Sequence, residues 1–314
     1  MGRTGNLIPQ KHTPVLLEET LQVINPQPEG LYIDATLGGG GHAEAILKAS
    51  SPTGKLLGLD ADPRAIERVK QRLARFSPRT TLIQANFRHI AQVAHQHNFH
   101  QVDGILFDLG ISSYHLDEAD QGFSFSKEGP LDMRMDPTTG PSAADIVNTL
   151  DADELADIIY KYGEERRSRR IARAIVAHRP IYTTTQLAEI IVGAIGRKPG
   201  SRIHPATRTF QALRIYVNSE LEALELALPQ AIELLKPGGI LAVITFHSLE
   251  DRIVKHYFRQ ESRDCICPPH SPICTCGHKA QIKEIYRKGV TPSPDEIARN
   301  PRSRSARLRA VQKL

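Results

Sequence analysis

The sequence predicts an α/β fold in which an open parallel sheet is interrupted by a long helical insertion. Apolar runs of strand length alternate with segments of helical periodicity over residues 1–116, which is the pattern of βαβ units. Residues 117–215 show helical periodicity and no convincing strand. A further apolar run then follows a glycine-containing turn, so residues 216–314 are predicted to complete the sheet domain.

The strands and turns follow in order along the chain. Strands are predicted at 31–36, 56–60, 80–84, 103–108, 240–246 and 306–311. The first four alternate with helices, of which the segment from Pro63 to Arg75 has apolar residues at helical spacing. Residues 236–239 (Lys-Pro-Gly-Gly) predict a turn before the fifth strand, which is apolar throughout like a central strand. The last strand alternates in polarity and is predicted to lie at an edge of the sheet.

The insertion is predicted to be helical and charged. Asp151 with Glu154, and Thr183 with Gln186, have the spacing of capping boxes at helix starts. A last long helix is predicted from about Pro205, because its apolar stripe continues through the following residues as far as 224.

Composition narrows the class of protein. The chain has 314 residues, 40% of them hydrophobic and 24% charged, which is typical of a globular protein. Its net charge of +5 mildly favours an anionic partner such as nucleic acid, although a basic enzyme without a polyanion partner has the same balance. Neither a membrane-spanning run nor a signal segment is recognisable, and the cysteines do not form a framework across the fold, so a cytoplasmic location is expected.

The glycine-rich turn at Gly38–Gly41 is the strongest sign of a ligand site. It follows a predicted strand and precedes a predicted helix, as nucleotide-binding loops do, and glycine lets the backbone approach a ligand closely. Asp60 ends the next strand about 20 residues later, where a carboxylate can accept hydrogen bonds from both ribose hydroxyls. These features predict an enzyme with an adenosine-containing cofactor. A dinucleotide site and a plain turn remain the alternatives.

Two further polar segments end strands of the same predicted sheet. Asp108 ends the fourth strand, where ligands bind in open α/β sheets, and could accept a hydrogen bond from an exocyclic amine. The alternative is a carboxylate that stabilises the turn. His247 follows the fifth strand and could contact substrate or move a proton, or be satisfied by its local turn.

Basic residues of the insertion predict contacts with RNA phosphates. Arginines are dense at 164–173 and again near the start of the last predicted helix. A solvated face paired with acidic neighbours is the alternative interpretation. The predicted substrate contacts are Arg166, Arg170, Arg208, Arg214 and Asn218.

The four cysteines form two Cys-x-Cys pairs, Cys265 with Cys267 and Cys274 with Cys276, and His270 and His278 lie nearby. Four thiolates suit zinc, although structural zinc sites usually have two or more residues between paired cysteines. The alternative is a proline-rich loop with reduced thiols, so the sequence leaves the metal open.

Eight motifs spread over nearly the whole chain carry a resemblance to a known family. They are HTPVLL (12–17), DATLGGGGH (34–42), DLGISS (108–113), GFSF (122–125), GPLDMRM (129–135), YGEE (162–165), HPATR (204–208) and FHSLEDR (246–252). Together they resemble the bacterial S-adenosylmethionine-dependent methyltransferases that modify N4 of a cytosine in 16S ribosomal RNA, near the decoding site.

The resemblance implies a Rossmann-like class I methyltransferase sheet with an inserted all-helical domain for substrate recognition. It implies 16S ribosomal RNA as the partner, within a small ribosomal subunit or an assembly intermediate, and no membrane. The oligomeric state stays open, with a homodimer among the arrangements. The implied contacts to S-adenosyl-L-methionine are Gly40, Gly41, His42, Asp60, Phe87, Asp108 and His115.

The mechanism expected is direct in-line methyl transfer, with Asp108 reorienting the amine and His247 as the second candidate catalytic residue. A nucleotide-dependent oxidoreductase would explain the glycine turn and Asp60, but not the Asp108 segment or the insertion. A non-catalytic RNA-binding protein would explain the basic helices but not the pocket.

Overall fold

The computed structural model describes residues 14–197, 200, 203–268, 271 and 273–314. Three residues noted in the sequence, His12, Thr13 and His270, lie outside the described residues. The chain divides into two compact units. The sheet unit comprises Met1–Asp60, Arg64–Gly110 and Ala227–Leu314, and the helical unit comprises Ala61–Pro63 and Ile111–Leu226.

Seven strands form one sheet. They are β1 (Leu31–Asp34), β2 (Lys55–Asp60), β3 (Thr80–Gln84), β4 (Val102–Asp108), β5 (Leu235–Thr245), β6 (Ile282–Glu284) and β7 (Arg307–Lys313). The helices of the described residues are α1 (Leu17–Ile24), α2 (Gly41–Ala49), α3 (Pro63–Arg72), α4 (Ile90–Gln96), α5 (Ser113–Asp117), α6 (Ala143–Thr149), α7 (Ala152–Gly163), α8 (Ser168–Ala177), α9 (Thr184–Ile195), α10 (Thr207–Asn218), α11 (Glu220–Leu234), α12 (Ser248–Glu261) and α13 (Pro294–Arg299).

The strand order is β3-β2-β1-β4-β5-β7-β6, which confirms the predicted α/β fold. Strands β1 to β5 pair in parallel, and β7 pairs antiparallel with both β5 and β6. Since the order reverses between β1 and β4, the carboxyl ends of these two strands form the topological switch point, where such sheets bind ligands. The prediction of β7 as an edge strand was wrong, because the short β6 pairs along its outer side.

The predicted turn at 236–239 is also different in the structure. Strand β5 already begins at Leu235, which pairs with Val102, and its register against β4 then shifts before Ile240 pairs with Gly104. The Lys-Pro-Gly-Gly sequence therefore forms an irregularity inside the strand pairing, with Gly238 in the left-handed region at φ 82°.

The helical unit is built from short capped helices. Asp151 and Thr183 cap α7 and α9 through the predicted capping boxes with Glu154 and Gln186. The single long helix predicted from Pro205 is instead two helices, α10 and α11. They are separated at Ser219, whose φ of 48° is left-handed and breaks the helical hydrogen bonding.

Each unit has its own hydrophobic core. In the sheet unit the apolar faces of α1, α2 and α3 pack on the buried strands. In the helical unit the core gathers buried side chains from α6 to α10. Among the described residues, no helix is both long enough and apolar enough to cross a membrane.

Candidate functional site

The glycine loop links β1 to α2 and needs glycine for two different reasons. Gly40 precedes α2 with a φ of 72°, a left-handed conformation that strains other residues. At Gly41 an added Cβ would lie 2.2 Å from Pro14 Cγ, so packing excludes a side chain. The N-terminus of α2 therefore carries no side chains at these two positions, which is the arrangement that favours close approach of a ligand.

An ion-pair network from α3 holds this loop. Arg72 donates through Nη1 to the carbonyl of Gly39 at 2.8 Å and through Nε to Glu44 at 2.8 Å. Although burial opposes it, the hydrogen bonds of Lys48 and Arg72 lower the pKa of Glu44 to about 2. Sequence reasoning missed this brace, because the two partners belong to different helices and no local spacing marks them.

Three carboxylates end neighbouring strands at the switch point. Asp34 ends β1, Asp60 ends β2 and Asp108 ends β4, and β1 pairs with both other strands. Asp60 accepts a hydrogen bond from the Gly38 N–H at 2.8 Å. This bond fixes the residue that is predicted to bind the ribose against the glycine loop. The strand-end positions of Asp60 and Asp108 agree with the sequence prediction.

Asp34 was not among the predicted site residues. It is 1% exposed, and its Oδ1 accepts from the Thr36 N–H at 3.2 Å, while Oδ2 has no hydrogen-bond partner among the described residues. Burial, together with the negative charge of Asp60, raises the pKa of Asp34 to about 7. An acidic residue at the end of an apolar strand was the signal that could have found it.

Asp108 has the environment of a group that receives a polar ligand. Its backbone N–H donates to Thr36 Oγ1 at 2.6 Å, which fixes the end of β4 against the loop after β1. The side chain is 19% exposed, and Oδ1 is buried without a hydrogen-bond partner among the described residues. Burial, and then the charges of Asp34 and Glu250, raise the pKa of Asp108 well above its usual value. Leaving such an oxygen unsatisfied is costly, so a donor is expected to complete it.

His42 contacts the same carboxylate. It is the second residue of α2, is buried, and places Nε2 3.6 Å from Asp108 Oδ2. This brings two predicted cofactor residues together on neighbouring elements of the sheet unit.

The aromatic candidate Phe87 follows β3 at the same edge. Its half-buried ring meets that of Phe107 edge to face, with centroids 5.5 Å apart. At the end of β4, Gly110 adopts a φ of 88°, and an added Cβ would lie 3.6 Å from the Phe246 ring.

His115 is held by neighbours in the helical unit. Its Nδ1 lies 3.2 Å from the N–H of Ser112 and 3.1 Å from its hydroxyl, which caps α5. Its Nε2 lies 3.1 Å from Asp62. Both ring nitrogens are therefore engaged, so a cofactor contact of His115 would use the ring's face or edge.

His247 is the N-cap of α12. Its Nδ1 accepts from the Glu250 N–H at 3.4 Å, and its Nε2 lies 3.1 Å from Glu250 Oε1. The carboxylate in turn accepts from the Phe246 N–H at 2.7 Å. The local turn therefore satisfies Nδ1, whereas Nε2 is buried beside Glu250 without a hydrogen-bond partner among the described residues.

The predicted RNA-contact residues fall into two groups. Arg166 and Arg170 are both exposed; Arg170 lies on α8, and Arg166 lies in the turn that precedes this helix. Arg208 is also exposed, with Nη1 3.3 Å from the Glu164 carbonyl and 3.8 Å from Glu165.

Arg214 and Asn218 have internal partners instead. Arg214 makes two hydrogen bonds of 2.8 Å to Glu220, and its side chain is 13% exposed. Asn218 accepts from the Met135 N–H at 2.8 Å and donates to the Met133 carbonyl at 2.7 Å. These contacts hold the segment 133–135 against α10.

The cysteine pairs lie between α12 and β6, and the structure brings them together. The four sulfur atoms all lie within 4.8 Å of one another.

The sequence of the chain matches a known protein family. A model of the MraW methylase family matches residues 9–314. A protein of Thermomicrobium roseum named ribosomal RNA small subunit methyltransferase H is 54% identical over 96% of this chain and 94% of its own length. A protein of the same name from Syntrophotalea carbinolica is 52% identical over 97% and 98% of the two chains. Among solved structures, an rRNA methylase from Streptococcus thermophilus aligns over 96% and 98% of the two chains at 10% identity, with a TM-score of 0.44.

Proposed function

This chain belongs to the MraW methylase family, and we propose that it methylates the exocyclic N4 amine of one cytosine in 16S ribosomal RNA, near the decoding site. It is an S-adenosylmethionine-dependent ribosomal RNA methyltransferase. The observation that carries the finer proposal is the buried oxygen of Asp108 at the switch point of the sheet, which has no hydrogen-bond partner among the described residues. Such an acceptor suits a substrate that brings an N–H donor, as an exocyclic amine does.

The sheet unit has the features that the cofactor requires. Gly40 has a left-handed conformation, and the backbone N–H groups at the start of α2 are the proposed contacts to the cofactor. Asp60 supplies acceptors for ribose hydroxyls, and the half-buried Phe87 offers a ring to cover an adenine. His42 and Asp108 complete the proposed set within the sheet unit.

The chemistry asked of Asp108 is to position the amine. When bound, the sulfonium of the cofactor supplies an electrophilic methyl group. The cytosine amine is a poor nucleophile because its lone pair is delocalised into the ring. Asp108 accepts a hydrogen bond from it, turns the lone pair out of conjugation, and takes up the proton that the amine loses. Transfer is direct and in line, without a covalent enzyme intermediate.

The positions of the cysteines support methylation of the N4 nitrogen of the cytosine over methylation of its C5 carbon. Methylation at C5 of a cytosine needs a covalent nucleophile, usually a thiolate, to activate the ring. The chain has four cysteines, and all of them lie between residues 265 and 276. None belongs to the segments that follow β1, β2 or β4.

The helical unit is proposed to bind the RNA. Arg166, Arg170 and Arg208 are exposed and provide positive charge for phosphates. Arg214 and Asn218 are not included in the proposed RNA-binding surface, because they already bond Glu220 and the backbone of 133–135. A small ribosomal subunit or an assembly intermediate is the proposed substrate form, which places the enzyme in the cytoplasm. The target base must leave its stack to be methylated.

The test is to identify the methylated atom. Purified chain is incubated with methyl-labelled S-adenosylmethionine and small subunits from cells that lack the enzyme. The 16S RNA is then digested and its nucleosides separated by mass spectrometry. We expect label in N4-methylcytidine at one position. Label in 5-methylcytidine, in another base or at many cytosines would contradict the proposal.

A further inference from the structure

The segment between α12 and β6 contains a cluster that the methyl-transfer chemistry does not use. It contains Cys265 and Cys267 on one side of a loop and Cys274 and Cys276 on the other. Cys276 Sγ lies 3.6 Å from Cys274 Sγ and 3.8 Å from Cys265 Sγ. All four sulfur atoms lie within 4.8 Å of one another, although the two pairs are separated in sequence.

We propose that these four thiolates bind one zinc ion. A regular tetrahedron with Zn–S bonds of about 2.3 Å has sulfur atoms about 3.8 Å apart. The two sulfur separations given above match that edge. The distances are too long for disulfides, whose sulfurs lie about 2.05 Å apart. Four soft sulfur ligands in this geometry favour zinc over Mg²⁺ or Ca²⁺, which prefer oxygen.

The backbone around the sulfurs supports the assignment. The N–H of Ile266, the middle residue of the first pair, hydrogen-bonds to the sulfur of Cys276. The N–H of Thr275, the middle residue of the second pair, hydrogen-bonds to Cys267. Each pair therefore donates to the second sulfur of the other pair. Hydrogen bonds of this kind stabilise the negative charge that metal-bound thiolates carry.

The described residues of the loop are largely exposed: three of the four cysteines are exposed, Ile266 is 44% exposed and Ile273 is 75% exposed. The contacts at its base include the bonds from Gln281 N–H to the Glu261 carbonyl and from Ala280 N–H to Asp264. The side-chain amide of Gln281 also donates to the Glu261 carboxylate, and His278 Nε2 lies 3.9 Å from it. A zinc ion would cross-link the loop above this base and connect the end of α12 to β6. This is a structural role, since all four positions of the ion are filled by protein.

The test measures zinc in the full chain, purified without chelator and without metal-affinity resin. We expect about one zinc per chain by elemental mass spectrometry, as for a four-thiolate structural site. The double variant Cys265→Ser, Cys276→Ser should contain almost none. His278→Ala is the matched control, since it changes the residue two positions after Cys276, removes no thiol, and should keep the zinc.

A second measurement covers the case in which the double variant misfolds. In the native chain, thiol titration with an aromatic disulfide reagent should find the four cysteines slow to react. Adding a strong chelator should release the zinc and make all four react. Protein without zinc, iron in its place, zinc that persists in the double variant, or thiols equally reactive with and without chelator would each overturn the proposal. None of these readouts depends on methyl transfer.

Discussion

Asp34 is a buried acid whose protonation ties stability to pH. Its pKa in the folded chain is about 7, above the value of an exposed aspartate, because burial disfavours the charged form. The folded state therefore holds a proton that the unfolded state releases. The stability that this group contributes is present below about pH 4 and is lost as the pH rises through about 7.

Replacing Asp34 by asparagine should remove this dependence. The amide would keep an oxygen for the Thr36 N–H but never carry charge, so Asp34→Asn should gain stability over the native chain between about pH 5 and pH 8. One pKa unit corresponds to about 1.4 kcal/mol, so the gain is of the order of a few kcal/mol. Urea unfolding at both pH values measures it. Asp157→Asn, an exposed aspartate of α7, is the control; equal pH profiles for both variants would contradict the account.

Asp60 is expected to determine cofactor affinity. It accepts from the Gly38 N–H, and its carboxylate is the proposed acceptor for the ribose hydroxyls. Asp60→Ala should weaken S-adenosylmethionine binding by about 1–3 kcal/mol, the usual worth of hydrogen bonds to a charged group. Calorimetry is the measurement. Unchanged affinity would contradict the assignment, and so would tighter binding of a nicotinamide dinucleotide by the native chain.

For single residues, the sequence predicted where a side chain lies along its strand better than which partners that side chain contacts. Asp60 and Asp108 were found because each ends an apolar strand, and that position is a local property. His115 was implied by the resemblance, and His247 and Arg214 were proposed from their places along the chain. The structure engages these three side chains with Asp62, Glu250 and Glu220. A histidine or arginine carries no local mark of whether a neighbour in the fold already satisfies it.

At the scale of elements, the contact between α3 and the glycine loop makes Arg72 a positioning residue. It hydrogen-bonds both the Gly39 carbonyl and Glu44, whereas Arg75 hydrogen-bonds Glu44 and lies over the Phe76 ring, 4.7 Å from its centroid. Arg72→Ala should therefore lower cofactor affinity roughly fivefold to tenfold, about 1–1.4 kcal/mol for one lost hydrogen bond to the loop.

Arg75→Ala is the matched control for this brace. It removes a guanidinium from the same Glu44 but leaves the Gly39 carbonyl bonded, so affinity should stay near the native value. Calorimetric titration of both variants decides the point. Equal losses of cofactor affinity in the two variants would mean that the affinity depends on positive charge near Glu44 and not on the hydrogen bond to the Gly39 carbonyl.

The exposed arginines of the helical unit are expected to contact phosphates. Arg166→Ala with Arg170→Ala should weaken RNA binding and reduce the salt slope by about one unit per lost contact, without changing cofactor affinity. The control removes two exposed lysines of the sheet unit, Lys55 and Lys283. The same change of slope in both double variants would show only a general charge effect.

The sequence predicted the helices and strands that local periodicity and cap residues determine. It missed features that depend on contacts with distant segments or on a local break of the backbone. Strands β1 to β4 and the two capping boxes follow from periodicity and cap residues. The break at Ser219 was missed, because the apolar stripe continues across it into α11. The inner position of β7 was missed too, since β6 lies far away in sequence and only three residues form it.

On the scale of the whole molecule, the chain divides into two compact units. Each has a hydrophobic core of its own, as the change of periodicity along the sequence predicts. The boundaries differ from the predicted ones: the main segment of the helical unit runs from Ile111 to Leu226, where 117 and 215 were predicted. Helix α11 continues through the later boundary, so the helical pattern does not change there.

We propose that the sheet unit carries out methyl transfer and the helical unit binds RNA. Substitutions should therefore be able to abolish one of these activities without the other. Asp108 lies in the sheet unit, and the proposed phosphate contacts lie in the helical unit. Asp108→Asn keeps the size of the side chain but removes the negative charge and replaces one acceptor with a donor, which repels the amine. RNA affinity should therefore stay near native in this variant, whereas methyl transfer should fail.

Single-turnover methyl transfer with saturating S-adenosylmethionine and small subunits measures the chemical step alone. For Asp108→Asn we expect a rate roughly a hundredfold or more below the native chain, the usual loss for a positioned acid–base group. The native rate should also fall as the pH drops through the raised pKa of Asp108, because the protonated form cannot take up the proton that the amine loses. A near-native rate in Asp108→Asn, with cofactor and RNA still saturating, would contradict the central claim that this carboxylate positions the amine.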